Sequence, residues 1–160
     1  MNTKYLTKAG LIAGIYVVLV AIQIPLGQLA FGPIQLRIAE GLTLLPLVES
    51  AAVPGVFVGC FISNLILASV SGFGLIDIVG GSLVTLLAAY LTSKMPNKIF
   101  GIFPPVVLNG FIISIWVSYF TKVPYWYTVL GIAGGELASV AIFGNIILMA
   151  YNNIFRQKNK

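Results

Sequence analysis

Long apolar runs, broken by Pro, Gly and a few charges, organise this chain into six segments at residues 9–26, 36–48, 51–70, 75–92, 102–120 and 129–151. A helix needs about 20 apolar residues to cross the hydrocarbon of a bilayer, within a range of about 17–25. Most of the runs meet that length. The second is short and carries Arg37 and Glu40, so it spans only if residues 33–35 contribute or the helix tilts. No stretch reads as a soluble domain, an internal repeat or a low-complexity tract. The pattern predicts an all-α integral membrane protein, a bundle of six transmembrane helices forming one domain over residues 1–160.

Composition supports that reading and narrows the chemistry. Apolar residues make up 59% of the 160 positions and charged residues 8%, and mean hydropathy is +1.02. Soluble domains carry about 25% charged residues. There is no His and a single Cys, Cys60. A His-based triad, an imidazole metal site and an internal disulfide are therefore excluded, and no catalytic, metal or cofactor site is expected. Cys60 is expected to pack as a small apolar residue. After Lys8 the apolar stretch runs to Leu26 without a small-x-small cleavage site, so no cleavable signal is expected.

The net charge of +5 falls at the ends of the apolar runs, which points to topology rather than nucleic acid. With both termini inside, the cytoplasmic face carries Lys4, Lys8, Lys94, Lys98, Arg156, Lys158 and Lys160, and the outer face only Arg37 and Lys122. That excess predicts an N-in, C-in arrangement. Polar residues within the segments then gather in the outer half: Arg37, Glu40, Asn64, Asp77 and, deeper, Glu136, with Asn109 in the inner half of the fifth segment. A site open to the outside is expected.

Ionisable groups inside a membrane are functional candidates, and the chain has four acids: Glu40, Glu49, Asp77 and Glu136. Glu136 follows Gly131, Gly134 and Gly135, which leave room beside the helix, and no basic residue lies near it on its own segment. Its demand must be met by a ligand, a proton or a pair with Arg37. Arg37 and Glu40, three apart, share a helical face and either pair with each other or line a cavity. Asp77 either lines the site or starts the fourth helix, where an acid suits the positive dipole end. Glu49 is expected to be a solvated turn residue or a partner contact. Trp116, Tyr119, Phe120, Tyr125, Trp126 and Tyr127 form either an interfacial belt or, for one or two of them, a stacking surface. Ala9, Gly10, Ala13 and Gly14 make a stripe of small residues that serves either packing inside the chain or contact with another protein. No phosphate-binding loop occurs.

Residues 35–46 (QLRIAEGLTLLP), 52–64 (AVPGVFVGCFISN), 75–87 (LIDIVGGSLVTLL), 104–109 (PPVVLN) and the Gly134-Gly135-Glu136 triplet resemble the QueT family. These are the substrate-binding S components of energy-coupling-factor (ECF) vitamin transporters, a type of ABC importer. The resemblance covers nearly the whole chain in order. It implies a six-helix S-component bundle in a bacterial cell membrane, a site near the outer face, and uptake of a queuosine precursor: a 7-deazaguanine such as preQ1, preQ0 or queuine. It also implies docking to a transmembrane coupling protein and two partner ATPases, with Ala9 and Ala13 matching the A-x-x-x-A contact motif of the first helix.

Such a ligand offers a ring N–H and an exocyclic amine side by side, an edge that a carboxylate grips. Glu136 is the first choice for that role. Asn64 or Asn109 would read the carbonyl, and Trp116, Tyr119 or Trp126 would cover the ring. Asp77 or Glu40 would hold an aminomethyl cation, and Arg37 faces either the ligand or Glu40. Two alternatives stand beside this one. They are an S component for a different vitamin-like molecule, and a stand-alone channel or secondary transporter, which the scarcity of polar groups in the inner half disfavours.

Overall fold

The computed structural model describes residues 2–156, so Lys158 and Lys160 of the topology argument lie outside the described residues. Four helices are long and apolar enough to cross a membrane: α1 (Thr3–Leu26), α3 (Ala52–Ser71), α5 (Lys98–Thr121) and α6 (Tyr125–Ile154). Two shorter apolar helices, α2 (Ile38–Leu47) and α4 (Ile76–Thr92), lie between them. Each expected segment thus coincides with a helix. No strand is present among the described residues.

Local chemistry sets several of the boundaries. The Asn2 side chain accepts from the Lys4 N–H at 3.1 Å and opens α1, while Asn97 accepts from the N–H groups of Ile99 and Phe100 and opens α5. Helix α1 ends in a tight turn at Pro25, followed by Gly27 at a positive φ of 59°. In α5, Pro105 has no N–H to give the carbonyl of Gly101. The Thr92 hydroxyl donates to that oxygen instead, at 3.1 Å.

The second helix is wound as a 3₁₀ helix over its ten residues. At about 2 Å of rise per residue it reaches about 20 Å, where an α-helix of that length would reach about 15 Å. The residues from Ala39 to Pro46 are buried, so α2 is a central strut wrapped by the other helices. Around it, α1 and α3 approach through small residues. A Cβ on Gly55 would lie 2.9 Å from the carbonyl oxygen of Ala9, and one on Gly59 would lie 2.6 Å from the Tyr16 Cβ and 3.0 Å from the Ala13 oxygen. Ala13 is buried, while Gly10 and Gly14 are exposed with open space beside them. Half of the small-residue stripe is therefore used inside the molecule, because α3 supplies glycines opposite it.

Polarity is inverted relative to a soluble protein. Leu11, Ile22, Leu75, Leu83, Ile115 and Leu130 are exposed, whereas Glu40, Asn64, Asp77, Asn109 and Glu136 are buried. An apolar exterior over a polar interior is what a bundle solvated by lipid requires.

Candidate functional site

The buried polar residues converge on one cavity in the half of the bundle away from the termini. It is lined by Gln35, Arg37 and Glu40 from the start of α2, Cys60 and Asn64 from α3, Asp77, Gly81 and Thr85 from α4, Asn109 and Ile113 from α5, and Glu136 from α6. Three of these helices are widened into π-type turns, at Ile76–Gly81, Asn109–Ile113 and Ser139–Gly144. Such turns leave backbone and side-chain geometry that a regular helix does not offer and recur at functional sites. Here the first two carry Asp77 with Gly81 and Asn109 with Ile113 into the cavity wall.

Hydrogen bonds tie the wall together. The Tyr16 hydroxyl donates to Glu40 Oε1 at 2.5 Å, and Arg37 Nε lies 3.8 Å from the same oxygen. Arg37 Nη2 also donates to the Tyr16 oxygen at 3.3 Å and to Asn64 Oδ1 at 3.5 Å. Asn64 Nδ2 donates to the backbone oxygen of Asp77 at 2.8 Å, which spends its donor on joining α3 to α4. The Trp116 indole N–H donates to Asp77 Oδ1 at 3.0 Å, and Asn109 Nδ2 donates to Glu136 Oε1 at 2.8 Å. Arg37 Nε and Glu40 Oε2 are buried without a hydrogen-bond partner. Unsatisfied groups of this kind are costly.

Six residues singled out from the sequence line this cavity: Arg37, Glu40, Asn64, Asp77, Asn109 and Glu136. Arg37 and Glu40 face each other and the cavity at once. Glu136 is held by Asn109 rather than by Arg37, and Asp77 stands in the first turn of α4, as the dipole expectation had it, while also accepting from the Trp116 indole N–H. Trp116 is buried behind Asp77 and is not among the lining residues. Tyr119 and Trp126 do not join the cluster: they are 68% and 66% exposed, with Lys122 over the Tyr119 ring at 4.5 Å and Phe111 edge-on to Trp126. Their place on the bundle surface is that of belt residues. Ala9 and Ala13 pack toward α3, so the family contact motif is partly covered, while Gly10 and Gly14 stay open.

The expectation of free space beside Glu136 is corrected at Gly131 and Gly135. A strap at residues 33–36 lies on α6, and the glycines before Glu136 make room for it. A Cβ on Gly135 would clash with the carbonyl of Gln35, at 2.6 Å from its carbon, and one on Gly131 would sit 3.2 Å from the Pro33 carbonyl carbon. Gly134 faces open space. Gln23 pins the strap from α1, donating to the Leu36 oxygen at 2.7 Å and accepting from the Ile38 N–H at 2.8 Å. The remaining cavity is about 10 Å³, room for about one water. Sequence reasoning missed Tyr16, Gln23 and Gln35 as parts of this assembly. A lone Tyr and a lone Gln inside an apolar helix were the available signals.

A second polar cluster lies at the terminal end of the bundle. Lys8 forms an ion pair with Glu49, the Tyr151 hydroxyl donates to Glu49 Oε2 at 2.5 Å, and the Ala51 N–H donates to Oε1 at 3.1 Å. Glu49 is therefore buried and bonded, contrary to the solvated turn expected of it. Burial pushes its carboxyl up, but the bonds from Lys8, Tyr151 and the Ala51 N–H outweigh that and hold it below its ordinary value.

The chain is 27% identical over 155 residues to the queuosine precursor transporter QueT of Lactococcus lactis subsp. cremoris (strain MG1363), covering 88% of each chain. No solved structure matches it. The QueT transporter family matches residues 6–153, and with that match extending over nearly its whole length the chain belongs to the QueT transporter family.

Proposed function

We propose that this chain is the substrate-binding S component of an ECF-type importer that captures a 7-deazaguanine queuosine precursor for ATP-driven uptake. In this reading the six helices cross a bacterial cell membrane with both termini cytoplasmic, and a coupling protein and two ATPases energise transport. The reading is supported by the family, by the positive residues at the terminal end, and by a polar cavity confined to the opposite half. Away from that cavity Ile12, Leu42, Leu44, Leu45 and Val56 pack into an apolar core, which disfavours a channel. Because Ala13 is covered, the coupling protein docks on the open side of α1 that carries Gly10 and Gly14.

The observation that carries the proposal is Glu136. It is buried with one oxygen set by Asn109, and its other oxygen has no protein hydrogen bond among the described residues. That arrangement suits a guest with adjacent N–H donors. A planar heterocycle exceeds the present cavity, so binding displaces the strap or the walls beside it. The test is calorimetric titration of the purified protein with 7-deazaguanines, wild type against Glu136→Gln. A hydrogen bond to a charged group contributes about 1.5–3 kcal/mol, so affinity falls by about tenfold or more. Unchanged affinity removes Glu136 from the site, and absence of binding to any 7-deazaguanine overturns the substrate class.

A further inference from the structure

We propose that the groove between α1 and α6 at the terminal end of the bundle binds one anionic phospholipid, with an acyl chain along the groove and the phosphate at Lys4 and Lys8. This site is separate from the polar cavity and does not depend on what that cavity takes. Helices α1 and α6 each pack on α2 here. The space between them is about 550 Å³, against about 10 Å³ for the polar cavity, so it holds far more than a water.

Three elements build the groove. Leu11, Ile15 and Leu19 form one wall, and with Lys8 they recur three and four residues apart on a single face of α1. Leu42 and Leu45 of α2 are the floor, each 3% exposed. Ile147 and Ile154 of α6 make the opposite wall. The polar lining lies at one end, where Lys8, Glu49 and Tyr151 bond across from α1 to α6. From Lys8 to Leu19 the helix rises about 16 Å at 1.5 Å per residue. That is about half of the 30 Å hydrocarbon core, the depth of one leaflet. A slot of that length, apolar along its course and polar at the membrane surface, matches the build of a lipid.

Charge selects the headgroup. Lys4 precedes Lys8 by one turn on the same face of α1 and is exposed. Lys8 is bonded to Glu49, yet its side chain remains 41% exposed. Two lysines against one carboxylate leave the mouth of the groove positive, which suits a phosphate. Selectivity has to come from that end, because lipid tails are as apolar as the groove and gain no hydrophobic drive from entering it. Gly10 and Gly14 lie on a different face of α1, Gly10 about 200° around the helix from Lys8. A coupling protein seated on those glycines leaves the groove to lipid.

The experiment is native mass spectrometry of the full-length protein released from detergent and titrated with palmitoyl-oleoyl phosphatidylglycerol or phosphatidylcholine. Wild type is expected to retain one phosphatidylglycerol about fivefold tighter than phosphatidylcholine, the scale of one lysine at an anionic surface. Lys4→Gln is expected to remove most of that preference. Ala150→Trp, which fills the groove from α6, is expected to abolish retention while thermal unfolding shows a folded protein. Equal retention of the two lipids by wild type, or retention of neither, overturns the proposal. Retention that survives Ala150→Trp places the lipid elsewhere and overturns the groove as its site. If that variant also loses uptake, the groove belongs to a protein partner. Should Ala150→Trp not fold, Lys4→Gln still decides, since an undiminished preference there overturns the headgroup assignment.

Discussion

Alanine at position 135 would drive a methyl carbon into the backbone of the strap that closes the site. The new Cβ would stand 2.6 Å from the Gln35 carbonyl carbon and closer still to its oxygen, so the oxygen sets the shift and the strap must withdraw by about 2 Å to restore ordinary contact. A shift of that size breaks the bond from Gln23 to the Leu36 oxygen, now 2.7 Å, and strains the neighbouring one from the Ile38 N–H, now 2.8 Å. Buried groups left unpaired cost about 1–3 kcal/mol each, which places the loss at about 2–4 kcal/mol. Alternatively the strap detaches, and the site exchanges ligand faster. The assay is thermal unfolding in detergent together with ligand affinity and off-rate. Gly134→Ala is the control, since that position faces open space and alanine favours the helix by about 1 kcal/mol. If Gly135→Ala melts and binds as Gly134→Ala does, the strap does not lie on α6 and the description of a closed site is wrong.

The stripe on α1 separates two roles. Ala13→Trp is expected to abolish folded, ligand-binding protein, because Ala13 is buried where α1 crosses α3 and an indole has no room there, whereas Gly14→Trp should leave binding by the isolated protein intact and impair uptake. Normal binding by Ala13→Trp would refute the α1–α3 crossing. The Glu49 cluster makes stability depend on acid. A carboxyl held below its ordinary value contributes stability that is complete above the unfolded-state value near 4.5 and is lost as pH falls through the lower folded-state value. Thermal unfolding followed from neutral pH into that range should show a steeper loss for wild type than for Glu49→Gln, and parallel curves would show that the cluster contributes nothing.

How far the site was legible depended on the kind of signal. Glu136, Asp77, Arg37, Glu40, Asn64 and Asn109 stand out because each is a polar side chain in an apolar run. Tyr16 and Gln23 are just as buried and just as bonded, but one tyrosine or glutamine near a membrane helix is unremarkable by type. The outer aromatics show the converse. Trp116 and Tyr119 are three residues apart, yet one is buried on Asp77 and the other faces outward.

Hydropathy is a sum over neighbours in the chain, so the amino-acid order alone determined a lipid-solvated helical bundle, the six helical segments and the presence of acids that need partners. Which partner each acid takes depends on distances between segments far apart in sequence, and those exist only in the packed bundle. The glycines before Glu136 illustrate the difference: their lack of side chains was plain from the start, but only the tertiary structure showed that another stretch of backbone fills the space. The same holds for α2, whose 3₁₀ winding and burial from Ala39 to Pro46 are seen only in the packed bundle.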